Sequence, residues 1–267
     1  MNATRCARAC GFALCCGMLL SAVPARAQIS CEDGNGPLKS DSPEGFSTDE
    51  VIRKFASREA QFKAAFASYS YSVDMTVQSL NGNGSGGEMR RTTAVTVDER
   101  GKRHETVTFA SVSTLRIGVT QEDYDDADSG ALGMVTPENL QAYFVKFLGR
   151  QKVDELSTYV FDIAPKKIEK GKGFFQGTIW VDDHDLVIVK TCGRSMRTDE
   201  LPEKNGRLPR NVAPVFVTYR EQVDAVNWFP TYSKADEVAE FPRGAVRVKE
   251  IVKHTQYKKS DVTAAAK

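Results

Sequence analysis

Three histidines, His104, His184 and His254, are the side chains best suited to acid–base or metal chemistry here, and they stand 80 and 70 positions apart. A zinc site needs ligands that converge, and no Cys or His pair stands at ligand spacing. A serine hydrolase of the elbow type needs G-x-S-x-G between a strand and a helix. Ser85 lies instead in a glycine-rich turn. The acidic run 121–128 invites a calcium reading. An EF-hand started at Asp123 would need an acid at its fifth position and glycine at its sixth, and this chain has Ala127 and Asp128 there. The run reads as a solvated face. Lys166, Lys167, Lys170 and Lys172, and again Lys249, Lys253, Lys258 and Lys259, read as hydrated edges that discourage strand pairing. Steering toward anionic lipid is their alternative use. No catalytic residue, metal ligand set or cofactor motif emerges, so the expected chemistry is noncovalent.

The residues that could bind are apolar and aromatic, and they sit in strands. Tyr159, Phe161 and Ile163 alternate along one run, and Phe175, Ile179 and Val181 lie on one face of the next. A β-barrel core that side chains do not fill becomes an apolar pocket, and these six are the cavity candidates. A filled core is the competing reading.

The elements that must position them follow from pattern. Ser47 and Glu50 form a capping box, and Val51, Phe55, Phe62 and Phe66 make one apolar stripe. Arg53, Lys54, Arg58, Glu59 and Lys63 are assigned to other faces. The spacing predicts an amphipathic helix over about 48–67, a cover for a sheet or a lid over a cavity. Tyr69, Tyr71, Val73, Met75 and Val77 then alternate as in a half-buried strand. Residues 81–87 are a turn, and 93–97 and 107–109 continue the meander. Residues 111–142 break the rhythm and read as an excursion of short helices across the mouth of the sheet, with Thr136-Pro137 as an N-cap and Pro at N1 of one of them. Strands are expected at about 143–153, 156–166, 173–183, 186–196, 214–224, 227–236 and 245–258, with a polar loop at 197–213. Short connections imply antiparallel pairing.

The ends speak to compartment. Arg5 and Arg8 precede an apolar stretch to Val23, and Ala25-Arg26-Ala27 is an A-x-A site, so residues 1–27 read as a cleaved signal peptide. Residues 28–46 read as a flexible arm, 47–258 as one β domain and 259–267 as a disordered tail. Cleavage removes four of six cysteines and three arginines, leaving 33 Lys and Arg against 35 Asp and Glu. That near-neutral balance argues against a nucleic-acid partner, whose affinity rests on clustered cations. Cys31 and Cys192 remain, either paired in an oxidising compartment or as two thiols.

Gly177-Thr178-Ile179-Trp180-Val181-Asp182 followed by Leu186-Val187-Ile188-Val189-Lys190 resembles the aromatic-plus-Asp strand and return strand of the outer-membrane lipoprotein-sorting (LolA/LolB-like) superfamily. Residues 159–166, 219–222 and 228–232 extend the likeness. The resemblance implies a mainly β (α+β) fold, a strongly curved antiparallel sheet or incomplete β-barrel. Its concave face would be covered by the N-terminal helix and a short helical insertion. It also implies a non-enzymatic periplasmic carrier or sensor holding the acyl chain of a lipoprotein or other lipid. The alternative is an envelope-stress module that binds an envelope membrane protein. Fold alone does not choose between them.

Overall fold

The computed structural model describes residues 31, 34–80, 86–129, 135–169, 172–196, 214–241 and 244–260. The expected signal peptide, most of the turn at 81–87, the loop at 197–213 and the tail beyond Ser260 lie outside them.

Ser47 caps α1 (Thr48–Phe66): its hydroxyl accepts from Glu50 N, and the Glu50 carboxylate accepts from Ser47 N at 2.8 Å. The alternating runs form ten strands: β1 (Tyr69–Leu80), β2 (Gly86–Val97), β3 (Arg103–Ala110), β4 (Tyr143–Val153), β5 (Leu156–Pro165), β6 (Phe174–Asp182), β7 (Ile188–Met196), β8 (Phe216–Gln222), β9 (Trp228–Phe241) and β10 (Gly244–Lys259). They make one antiparallel sheet in the order β3-β2-β1-β10-β9-β8-β7-β6-β5-β4. Every neighbour but one is a sequence neighbour. The exception, β1 with β10, runs in register from Tyr69↔Lys259 to Leu80↔Arg247 and joins the two halves. The sheet stays open, with β3 and β4 as its edges, so it is not a closed barrel. The central place of β10 also corrects the edge reading of Lys249, Lys253, Lys258 and Lys259, which lie on an interior strand.

The region between β3 and β4 holds short helices, as expected, but the main one lies earlier than Thr136-Pro137. The acidic run is itself a helix, α2 (Gln121–Ser129). Thr120 starts it: its hydroxyl accepts from Asp123 N, and the Asp123 carboxylate accepts from Thr120 N at 2.6 Å. The helix expected at Thr136-Pro137 is a turn closed by the Asn139 side chain, then a single 3-10 turn, η1 (Leu140–Ala142). Tyr143 already begins β4, which leaves no length for more.

Residues 34–40 run beside β4. Asn35 bridges to Val153 and Lys39 to Arg150. A Cβ on Gly149 would stand 2.2 Å from the Lys39 carbonyl oxygen, so only glycine admits this approach. Cys31 is bonded to Cys192 on β7, with 5.6 Å between Cα atoms.

Candidate functional site

Cross-strand partners in an antiparallel sheet point to the same face. One such row reads Phe161, Ile179, Thr191, Thr218, Ser233, Val252, Met75 and Arg91, from β5 through β6, β7, β8, β9, β10 and β1 to β2. It is apolar on either side of three central hydroxyls, with Arg91 closing the β2 end. All three are buried, and the Thr218 and Ser233 hydroxyls lie 2.9 Å apart.

α1 lies along this face. Its first half puts Val51, Phe55 and Ala56 against β4–β7, and its second half puts Phe62 and Phe66 against β1, β9 and β10. All six cavity candidates, Tyr159, Phe161, Ile163, Phe175, Ile179 and Val181, fall in the first cluster, each at most 3% exposed. Phe55 and Phe161 meet with ring centroids 5.3 Å apart. Phe175 fits because β6 and β7 pair Gly177 with Gly193. A Cβ on Gly193 would come within 2.5 Å of the Phe175 ring. Side chains of α1 and of β4–β7 meet closely in the lobe beneath the first half of α1. The second lobe is an aromatic set in which Phe229 touches Phe62, Phe66, Tyr69 and Tyr257.

Between the lobes, Glu59 on α1 meets Arg220 on β8. One guanidinium nitrogen donates to Glu59 Oε1 at 2.5 Å and the other to Oε2 at 3.3 Å, with both side chains at most 2% exposed. The guanidinium also stacks on Phe62, 4.1 Å from its centroid. Glu59, grouped by the helix pattern with the residues largely on other faces, is instead buried under the helix. The signal was present in the stripe: the seven-residue gap between Phe55 and Phe62 is bridged at Glu59, four residues after one and three before the other. A charge inside an apolar stripe marks a buried partner, although spacing does not say which arginine.

Other groups do less. His104 pairs with the Asp98 carboxylate at 3.0 Å on the surface, and that hydrogen bond, with those from the Lys102 and Arg100 backbones, lowers Asp98 to about 2. Asp182, His184 and Asp185 come within 4.8 Å at the β6–β7 turn. There Asp182 Oδ2 already accepts from His184 N and Asp185 N at 3.1 and 2.7 Å, the bonding of an Asx turn. Burial nevertheless pushes the Asp182 carboxyl up. His254 on β10 is buried beside Tyr71 of β1.

No family model matches the chain, and no curated protein matches its sequence. Solved structures do. The chain is similar to LolA superfamily proteins. NE2245 of that superfamily, from Nitrosomonas europaea, shares 12% identity at TM-score 0.36, over 82% of this chain and 96% of that one. A putative outer membrane lipoprotein-sorting protein domain from Vibrio parahaemolyticus shares 12% at TM-score 0.35, over 81% and 95%. MucB in the Pseudomonas aeruginosa MucA/MucB complex shares 10% at TM-score 0.22, over 77% and 99%. Backbones at these scores superpose only in part, so function has to be read from this chain's own residues.

Proposed function

We propose that this chain is an exported, periplasmic, noncovalent lipid-binding carrier or sensor that takes an acyl chain into the lobe beneath the first half of α1. The observation that supports this most is the construction of that lobe. One amphipathic helix covers it, and Tyr159, Phe161, Ile163, Phe175, Ile179 and Val181 line its floor. The polar centre, with the Glu59–Arg220 pair and the Thr191–Thr218–Ser233 row, divides it from the second lobe. If the start of α1 lifts about its middle, a continuous apolar floor opens. Each methylene that then enters contributes about 0.8 kcal/mol. The binding needs no bond making.

The test is titration of a fluorescent fatty acid into parent protein and the Ile179→Trp variant, with thermal melts on both. An acyl site is expected to bind the probe in the parent and to lose affinity in the variant while the fold survives. Ordinary core at Ile179 instead costs about 1–3 kcal/mol of stability through overpacking, with probe affinity unchanged. A parent that binds no probe removes the carrier reading.

A second reading is a protein-interaction module for an envelope membrane protein. Edge strand β3 favours it: all eight residues are exposed, Val107 and Phe109 among them at 47% and 51%. An added strand pairs with such an edge. Loss of partner crosslinking on Phe109→Lys, in a parent that binds no fatty acid, would favour this reading.

A further inference from the structure

The face of the sheet away from α1 has its own apolar cluster, with Trp180, Val160, Cys192 and Val217 buried and Tyr219 and Trp228 partly so. Beside it lies a half-open cavity of about 370 Å³. Tyr219, Trp228 and Tyr232 border it, with Asp154 and Glu221. We propose that this cavity is a binding site for an organic ammonium cation. Nothing in it depends on the acyl-chain reading.

Three aromatic residues and two acidic ones lining one small cavity are a set that a cation satisfies and an anion does not. The ring faces carry negative quadrupole potential. The Tyr219 and Tyr232 centroids lie 6.4 Å apart with planes at 43°, so they form an angled wall rather than a stack. Neither carboxylate has an ion-pair or hydrogen-bond partner among the described residues. Three positive side chains stand near. Arg220 also borders the cavity, but its guanidinium is turned to Glu59 on the far face. Lys190 lies 5.2 Å from the Tyr219 centroid, buried, and donates to Asn35 Oδ1 at 2.7 Å. Lys253 pairs across from Tyr232 in register and is exposed to solvent. A volume of this size holds a trimethylammonium group and a short polar stem.

The probes are choline and its neutral isostere 3,3-dimethylbutan-1-ol, titrated into the protein beginning at Gln28 and followed by calorimetry. Choline should saturate, and the alcohol should bind about tenfold more weakly, because cation–π and carboxylate attraction act on charge and not on shape. Glu221→Gln and Asp154→Asn should each weaken choline severalfold. Asn tolerates the left-handed backbone at Asp154, where φ is +51°, so that variant keeps the turn. Trp228→Leu should abolish choline binding while circular dichroism shows the sheet retained. The proposal is overturned by no saturation with choline, by equal binding of the alcohol, by a Trp228→Leu variant that binds like the parent, or by free arginine binding more tightly than choline.

Discussion

Arg220 reaches from β8 into the middle of α1 and closes a two-pronged ion pair with Glu59, sealed under Phe62. The pair sits at the boundary between two apolar lobes that share one helix. Where each half of the helix rests on hydrocarbon, the pair sets the register of the whole.

Removing one partner strands the other. Arg220→Met leaves a buried carboxylate, and about 3–5 kcal/mol of stability should go with it. Replacing both, Glu59→Leu with Arg220→Met, should recover most of that loss, because two desolvated charges give way to apolar packing. Urea midpoints of the parent, the two single variants and the double variant decide this. A double variant as unstable as the sum of the singles would refute the account.

Much of this architecture was legible in the sequence, for reasons that separate into local and non-local. The capping box and the Val51–Phe66 stripe place α1 within one residue, because both signals lie inside the element. Strands such as Tyr143–Val153 emerge from alternation and short turns. Within the helical excursion at 111–142, α2 has no apolar stripe to bound it, and the Thr120–Asp123 cap is its one local mark. Glu59 belongs to that stripe although its charge hides it among the hydrocarbon members. Arg220 as its partner lies 161 residues away, and nothing local encodes that meeting. The openness of the sheet, and the central position of β10 with its lysines, likewise follow from one long-range pairing.

Acid should weaken the β8–β9 turn through Asp224. Its carboxylate accepts from Val226 N and Asn227 N at 2.8 Å each, from the Asn227 side chain and from the Tyr69 hydroxyl. Burial pushes this carboxyl up, but those hydrogen bonds outweigh it and hold the group well below the usual carboxylate range. A lowered folded value means that the unfolded chain takes up the proton first. The contribution is therefore complete above the unfolded value of about 3.9 and drains as pH falls through it toward the folded one. The stability gap between parent and Asp224→Asn should be flat from about pH 7 to 5 and shrink below about pH 4. A gap that widens in acid would contradict this.

Export predicts a defined start. The A-x-A site at Ala25-Arg26-Ala27 should give a chain beginning at or near Gln28 and free of lipid. N-terminal sequencing of protein from its native compartment checks it, and an acylated Cys31 would overturn it.

The Cys31–Cys192 bond fastens the arm across the outer face, and its consequences should be both global and local. Denatured, unreduced protein beginning at Gln28 should show no reactive thiol. Closing so long a loop restricts the unfolded chain, so Cys31→Ser should cost about 2–5 kcal/mol. Locally, the arm bonds β4 through Lys39 N to Arg150 O at 2.8 Å and Arg150 N to Lys39 O at 2.7 Å. Without its tether that short ladder is held by Asn35 and Gly36 on one side and by Glu44, which pairs with Arg150 and donates its amide to the Tyr159 hydroxyl, on the other. Those two amides should then exchange with solvent faster in Cys31→Ser, while the paired amides of β1 and β10 in the sheet interior slow or speed only with global stability. Equal acceleration at all of these positions would mean that the bond stabilises the fold as a whole and does nothing specific for the arm. Two titratable thiols in the parent would remove the bond itself.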